Sequence, residues 1–121
     1  MKKSNDLIFE FYQKQKEFGY LQSINLSRNI IEDGCSEYAL NIILCDYPFY
    51  EGNQKLLLTF LGVRDFKIGN LEGLLKLLIS ITNMSENQME GINYRVKEDE
   101  NELFSFYCKT FEFEIIDIQK S

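Results

Sequence analysis

The spacing of apolar residues changes once along the chain. Over residues 5–18, Leu7, Phe11 and Phe18 recur at helical spacing, with Ile8 and Tyr12 beside them. Ser4, Asn5 and Asp6 are each acceptable N-caps, and Gly19 suits the left-handed position after a helix. Lys14 and Lys16 complement the negative end of the helix dipole. The pattern predicts a helix over 5–18. A strand over 7–12 is the competing reading, because that run is dense in Phe, Ile and Tyr.

From Tyr20 onward the period is two. Strands are predicted over 20–26, 38–44 and 56–63. Tyr38, Leu40, Ile42 and Leu44 share one face of the second. In the third, Leu56, Leu58 and Phe60 face one way and Leu57, Leu61 and Val63 the other. Such two-sided apolarity predicts a central strand covered on both faces. Gly62 reads as a bulge, with the strand extended through 64–67. Glu32-Asp33-Gly34 is a turn, and the lone Pro48 marks a loop running to Asn53.

Residues 70–82 read two ways. Leu71, Leu74, Leu75 and Leu78 fit a helix capped by Asn70, while Leu75, Leu77, Ile79 and Ile81 fit a strand. Gly73 weakens a helix interior by about 1 kcal/mol, which favours a turn over 69–74 and then a strand to 82. A polar loop follows over 83–90. In 91–97, Ile92, Tyr94 and Val96 alternate with Asn93, Arg95 and Lys97. A charged hairpin turn over 98–102 leads to a strand over 103–108. Phe104, Phe106 and Cys108 are apolar at even positions, but Phe111, Phe113 and Ile115 at odd ones. A bulge or tight turn at Lys109-Thr110 would return both sets to one face. Lys-Thr makes a poor two-residue loop, so a bulged or bent long strand is favoured. The whole reads as one α+β domain over 1–121, with an N-terminal helix packed on a mostly antiparallel β-sheet of about six strands.

Composition narrows the chemistry. The 121 residues are 45% apolar and 26% charged, ordinary values for a globular chain. There is no His, so this chain alone cannot build a Ser-His-Asp or Cys-His mechanism or a His-ligated metal site. Cys35, Cys45 and Cys108 form no C-x-x-C pair, and their odd number fits a reducing compartment. Phosphate-loop and G-x-S-x-G motifs are both missing. The N-terminal Lys pair is followed by an apolar run that Glu10 interrupts, and no apolar stretch approaches a bilayer's span. A cytoplasmic protein, with no membrane partner and no cofactor, is expected.

Thirteen Lys and Arg against 19 Asp and Glu give a net charge of −6. The excess is uneven: residues 21–50 carry one Arg against four acids, and residues 96–121 three Lys against seven. The cations lie scattered along the chain, so nucleic acid is not an expected partner.

Three polar or aromatic clusters are candidate sites. Glu98, Asp99, Glu100 and Glu102 lie in one predicted turn, where carboxylates can face a basic partner. The run lacks the alternation and glycine of an EF-hand loop. A solvated turn is its plainer reading. Tyr47, Phe49 and Tyr50 flank Pro48 in a loop, and exposed aromatics of this kind anchor interfaces. The same aromatics could instead fold over the end of the core. Glu112 and Glu114 alternate opposite Phe111 and Phe113, so both project from one sheet face. Paired carboxylates do acid–base work when burial separates their pKa values. A solvent face is the plainer reading there too.

From Gln54 onward the order of features resembles small β-rich bacterial immunity proteins of polymorphic toxin systems, and uncharacterised proteins found among them. The likeness rests on Leu61-Gly62-Val63, Leu77-Leu78-Ile79, Gln88-Met89-Glu90, the run from Ile92 to Val96 with the acidic turn, and Phe104-Ser105-Phe106-Tyr107-Cys108. The resemblance implies a non-enzymatic protein that neutralises a cognate toxin by direct binding. A basic toxin domain is then the expected partner, met by Glu98, Asp99, Glu100 and Glu102 for charge and by Tyr47, Phe49 and Tyr50 as anchors. The alternative is a small-ligand-binding or carboxylate-dependent enzyme domain. Homo-oligomerisation stays open.

Overall fold

The computed structural model describes residues 3–30, 36–45, 54–69, 76–84, 92–100 and 102–117. Helix α1 (Lys3–Gln15) leads into β1 (Tyr20–Ile30), β2 (Ser36–Cys45) and β3 (Gln54–Ile68). Then follow β4 (Ile79–Asn83), β5 (Tyr94–Glu98), β6 (Phe104–Cys108) and β7 (Thr110–Asp117). The turn at residues 32–34 and the helix-or-turn segment at 70–74 lie outside the described residues.

The strands form a seven-stranded sheet in the order β1-β2-β3-β6-β5-β4, with β7 also paired to β3, and every pairing is antiparallel. The expected α+β architecture holds. It is two meanders joined through β3: β1-β2-β3 on one side, and β4-β5-β6 returning on the other. The order nearly closes on itself. Tyr20 bridges Lys76, and the Leu77 N–H donates to the Gly19 carbonyl at 2.7 Å.

β3 organises both halves. Its first part pairs with β2 and β7, and its second with β6. The bulge sits at Gly62, whose φ is +69°, and an added Cβ there would lie 2.8 Å from the Lys109 Cβ. That close approach requires glycine. The opposing strand breaks at the same level, between Cys108 and Thr110, where the Lys109 N–H bonds the Leu61 carbonyl at 2.8 Å. Phe104, Phe106, Cys108 and Phe111 are accordingly all buried on one side. The bend restores the phase as the alternation predicted.

The bulge also corrects one expectation. Leu56, Leu58 and Phe60 are fully buried, while Leu57 and Leu61 are only half-buried. β3 is central in pairing but covered on one face. Val63 was expected beside Leu57 and Leu61. The extra residue at Gly62 reverses the alternation and turns Val63 into the core.

Helix α1 lies over that core. Ile8, Phe11 and the following Phe18 are buried, and Phe9 points to solvent. The helix ends at Gln15, earlier than its periodicity predicted. Glu17 and Phe18 N–H groups close one last turn on the Lys14 carbonyl, and Gly19 then joins the bridge to Lys76–Leu77 instead of capping. Aromatic contacts stitch the layers: Phe60 meets Phe106 edge-on at 5.0 Å, Tyr94 meets Phe111 at 5.0 Å, and Phe11 meets Phe113 at 6.0 Å.

Candidate functional site

The β5–β6 turn gathers the acidic residues, and its geometry starts from one side chain. Tyr94, Val96 and Glu98 share a face of β5 by the period of two, and that face is the core side. Glu98 is therefore buried, at 1% exposure. Its Oε2 accepts N–H bonds from Leu78 at 3.0 Å and Glu100 at 2.9 Å, and its Oε1 accepts one from Leu103 at 2.9 Å. The turn is wound around this carboxylate. Glu98 was expected to offer charge on the surface; strand parity carries it inward, and it holds the turn instead. The signal was present in the sequence, because Glu98 continues the alternation of Ile92, Tyr94 and Val96.

Asp99, Glu100 and Glu102 remain exposed on this support. The Asp99 N–H bonds the Leu78 carbonyl at 2.7 Å, its carboxylate accepts from the Ser80 hydroxyl, and Lys97 Nζ lies 3.9 Å away. Glu102 takes a left-handed φ of +50°, which closes the turn before Leu103 enters the core. The Leu103 carbonyl in turn accepts the Gly69 N–H at 2.6 Å, tying the turn to the end of β3. Asp99, Glu100 and Glu102 are thus exposed in one turn whose backbone is hydrogen-bonded to the buried Glu98 and to Leu78. Tyr47, Phe49 and Tyr50 lie outside the described residues.

Glu112 and Glu114 both stand exposed on the outer face of β7, opposite Thr59 and Leu57. They border a depression of about 250 Å³. Neither carries the burial that an acid–base pair of carboxylates needs. The larger cleft, about 500 Å³, runs between α1 and β4 and is lined by Tyr12, Gln15, Lys16, Lys76, Leu78 and neighbours. Two of its polar groups, Gln15 and Tyr12, already have partners. The Gln15 amide bonds the Ile79 N–H at 2.6 Å and carbonyl at 3.2 Å, and the Tyr12 hydroxyl does the same for Ile81 at 2.9 and 3.2 Å. Two helix side chains thereby satisfy the free edge of β4. The helical pattern could have shown Gln15, which follows Ile8 and Phe11 on the buried stripe.

Among the described residues, no group of three or more His, Cys, Asp or Glu is placed to hold a metal ion. No described helix is long and apolar enough to cross a membrane.

Comparison with family models matches residues 3–114 to Immunity protein PIM8. That span covers most of the chain, and the protein belongs to this immunity-protein family. Comparisons with curated proteins and with solved structures returned no match.

Proposed function

From membership of an immunity-protein family, we propose that the protein neutralises a cognate bacterial toxin by binding it directly in the cytoplasm, without catalysis. The supporting observation is the β5–β6 turn: a buried Glu98 carboxylate accepts three backbone N–H groups, and Asp99, Glu100 and Glu102 of the same turn are exposed. A fixed cluster of carboxylates steers a basic toxin domain into encounter and loses less entropy on docking than a mobile loop would. In this reading Glu98 is a positioning residue and the other three supply charge. Tyr47, Phe49 and Tyr50 supply apolar anchorage. Cys45 and Cys108 are both buried thiols, which suits a reducing compartment.

The test is association kinetics with the toxin domain across a range of salt. Reversing Asp99, Glu100 and Glu102 to Lys, with Glu98 kept, should lower the association rate about tenfold at low salt and much less at high salt. Unchanged kinetics would remove the turn from the interface. A toxin that the unaltered protein neither binds nor inhibits would end the neutralisation reading itself.

A further inference from the structure

The cations scattered along the sequence are gathered by the fold. Residues on the outer face of β3, β6 and β5 fall into two rows set by strand register. Arg64, Tyr107 and Arg95 lie side by side in one row, and Lys67, Ser105 and Lys97 in the next. The four cations are exposed, with Tyr107 and Ser105 half-buried between them. Neighbouring strands are about 4.8 Å apart and alternate residues about 7 Å apart along a strand. The Cα atoms that carry the cations therefore lie near the corners of a rectangle of about 10 by 7 Å. Among the described residues, no carboxylate engages Lys67 or Arg95. Asp99 approaches Lys97 at one end, and exposed Asp65 sits at the β3 bulge between Arg64 and Lys67. A depression of about 270 Å³ lies between the Arg95–Lys97 side of this face and the acidic turn.

Resting on the reading that the protein acts by binding another protein, we infer that this face docks an acidic, extended segment of that partner. An extended peptide carries alternate side chains at the same pitch of about 7 Å, so carboxylates two residues apart meet Arg95 and Lys97 together. Arg and Tyr are the side chains that protein interfaces concentrate at their energetic centres. A nucleic-acid strand fits less well. The patch is bounded by Asp99, Glu100 and Glu102 at the turn and by Glu112 and Glu114 farther along the β6–β7 strand. A continuous polyanion would run into these carboxylates, whereas a short acidic segment ends before them. The partner surface that matches both features carries carboxylates at its centre and cations at its rim.

The experiment is an NMR titration of the intact protein with a short peptide of alternating Glu and Thr. The same peptide with Gln for Glu, and an oligouridylate, serve as controls. The acidic peptide should shift resonances of β5, β6 and the second part of β3, and binding should weaken with salt. Arg95→Ala with Lys97→Ala should weaken it about tenfold or more; both side chains are exposed, so the fold is kept. Lys67→Ala, on the opposite side of the rectangle, should weaken it less. Loss of binding to the unaltered protein, shifts confined elsewhere, or equal affinity in the double variant would overturn the inference. Tighter binding of oligouridylate to the same face would also overturn it, in favour of nucleic acid.

Toxin capture separates this inference from the neutralisation reading. Capture by both the wild type and the double variant, but not by the turn variant, would sink the basic face alone. No capture by the wild type would sink neutralisation, while the peptide titration still decides the face.

Discussion

The half of the sheet built from β1, β2, β7 and the first part of β3 differs from the half ending in β4 in what holds it. In the first half, pairing runs almost unbroken from Tyr20–Cys45 to Ile30–Ser36 and on through Leu44–Leu56 to Gln54–Asp117. Leu40, Ile42, Leu44, Leu56, Leu58 and Phe60 supply a dry face beneath it. At β4 the ladder is short, and polar side chains finish the edge. Gln15 and Tyr12 come from the helix, and Glu98 reaches Leu78 just before the strand. Gln15 and Glu98 are also the buried polar side chains among the described residues. A long ladder on a dry face needs only apolar alternation. A short edge strand needs partners for its backbone, and here they come from elements distant in sequence.

Breaking each half should therefore look different. Phe60→Ala removes a fully buried ring that touches Phe106 and Phe111, and should cost about 4 kcal/mol. Because β3 serves both halves, urea unfolding should stay one cooperative transition at a lower midpoint. Glu98→Ala strands the N–H groups of Leu78, Glu100 and Leu103 near a buried cavity, and should cost about 3 kcal/mol. Its signature is local. Amide exchange at Leu78, Glu100 and Leu103 should accelerate far more than at β2. Uniform acceleration across both strands would show that the turn and the ladder open as one unit.

The same contrast explains what could be read from the sequence. Alternation locates β2, β3, β5 and β6, and the phase change between Cys108 and Phe111 marks the bend without reference to the pairing. It did not show that β3 is covered on one face, because apolar alternation cannot say what lies above it. It missed the reversal at Val63, which depends on the extra residue at Gly62. At the candidate site, the grouping of Asp99, Glu100 and Glu102 was legible as a charge run. The inward turn of Glu98 was legible only by extending the parity of β5 one residue beyond its apolar members. The cationic rows were not legible, since Arg64 and Lys67 meet Arg95 and Lys97 through pairings that β6 alone sets. The place of Gln15 on the buried stripe of Ile8 and Phe11 was legible, but the β4 edge that it satisfies was not, because that edge lies 64 residues away in sequence.

Two buried thiols allow the halves to be compared in one protein. Cys45 lies in β2 and Cys108 in β6, at 4% and 0% exposure. Burial pushes the Cys108 thiol up to about 12 from 9.0, because the apolar surroundings disfavour its thiolate. The stability this confers is fully present below the unfolded thiol's pKa of 9.0 and is lost as pH rises from there through about 12. Near pH 10.5 the loss should be about 2 kcal/mol. It is measured as the difference between the pH slopes of wild type and Cys108→Ala in urea unfolding. Identical slopes would mean that the thiol ionises in place, with water reaching β6. Alkylation at neutral pH then ranks the two halves directly. If β4 and its polar attachments open before the long ladder does, Cys108 should react before Cys45, and Glu98→Ala should widen the gap. If Cys45 reacts first in both proteins, the long ladder is the weaker half, and the polar edge at β4 is the firmer of the two.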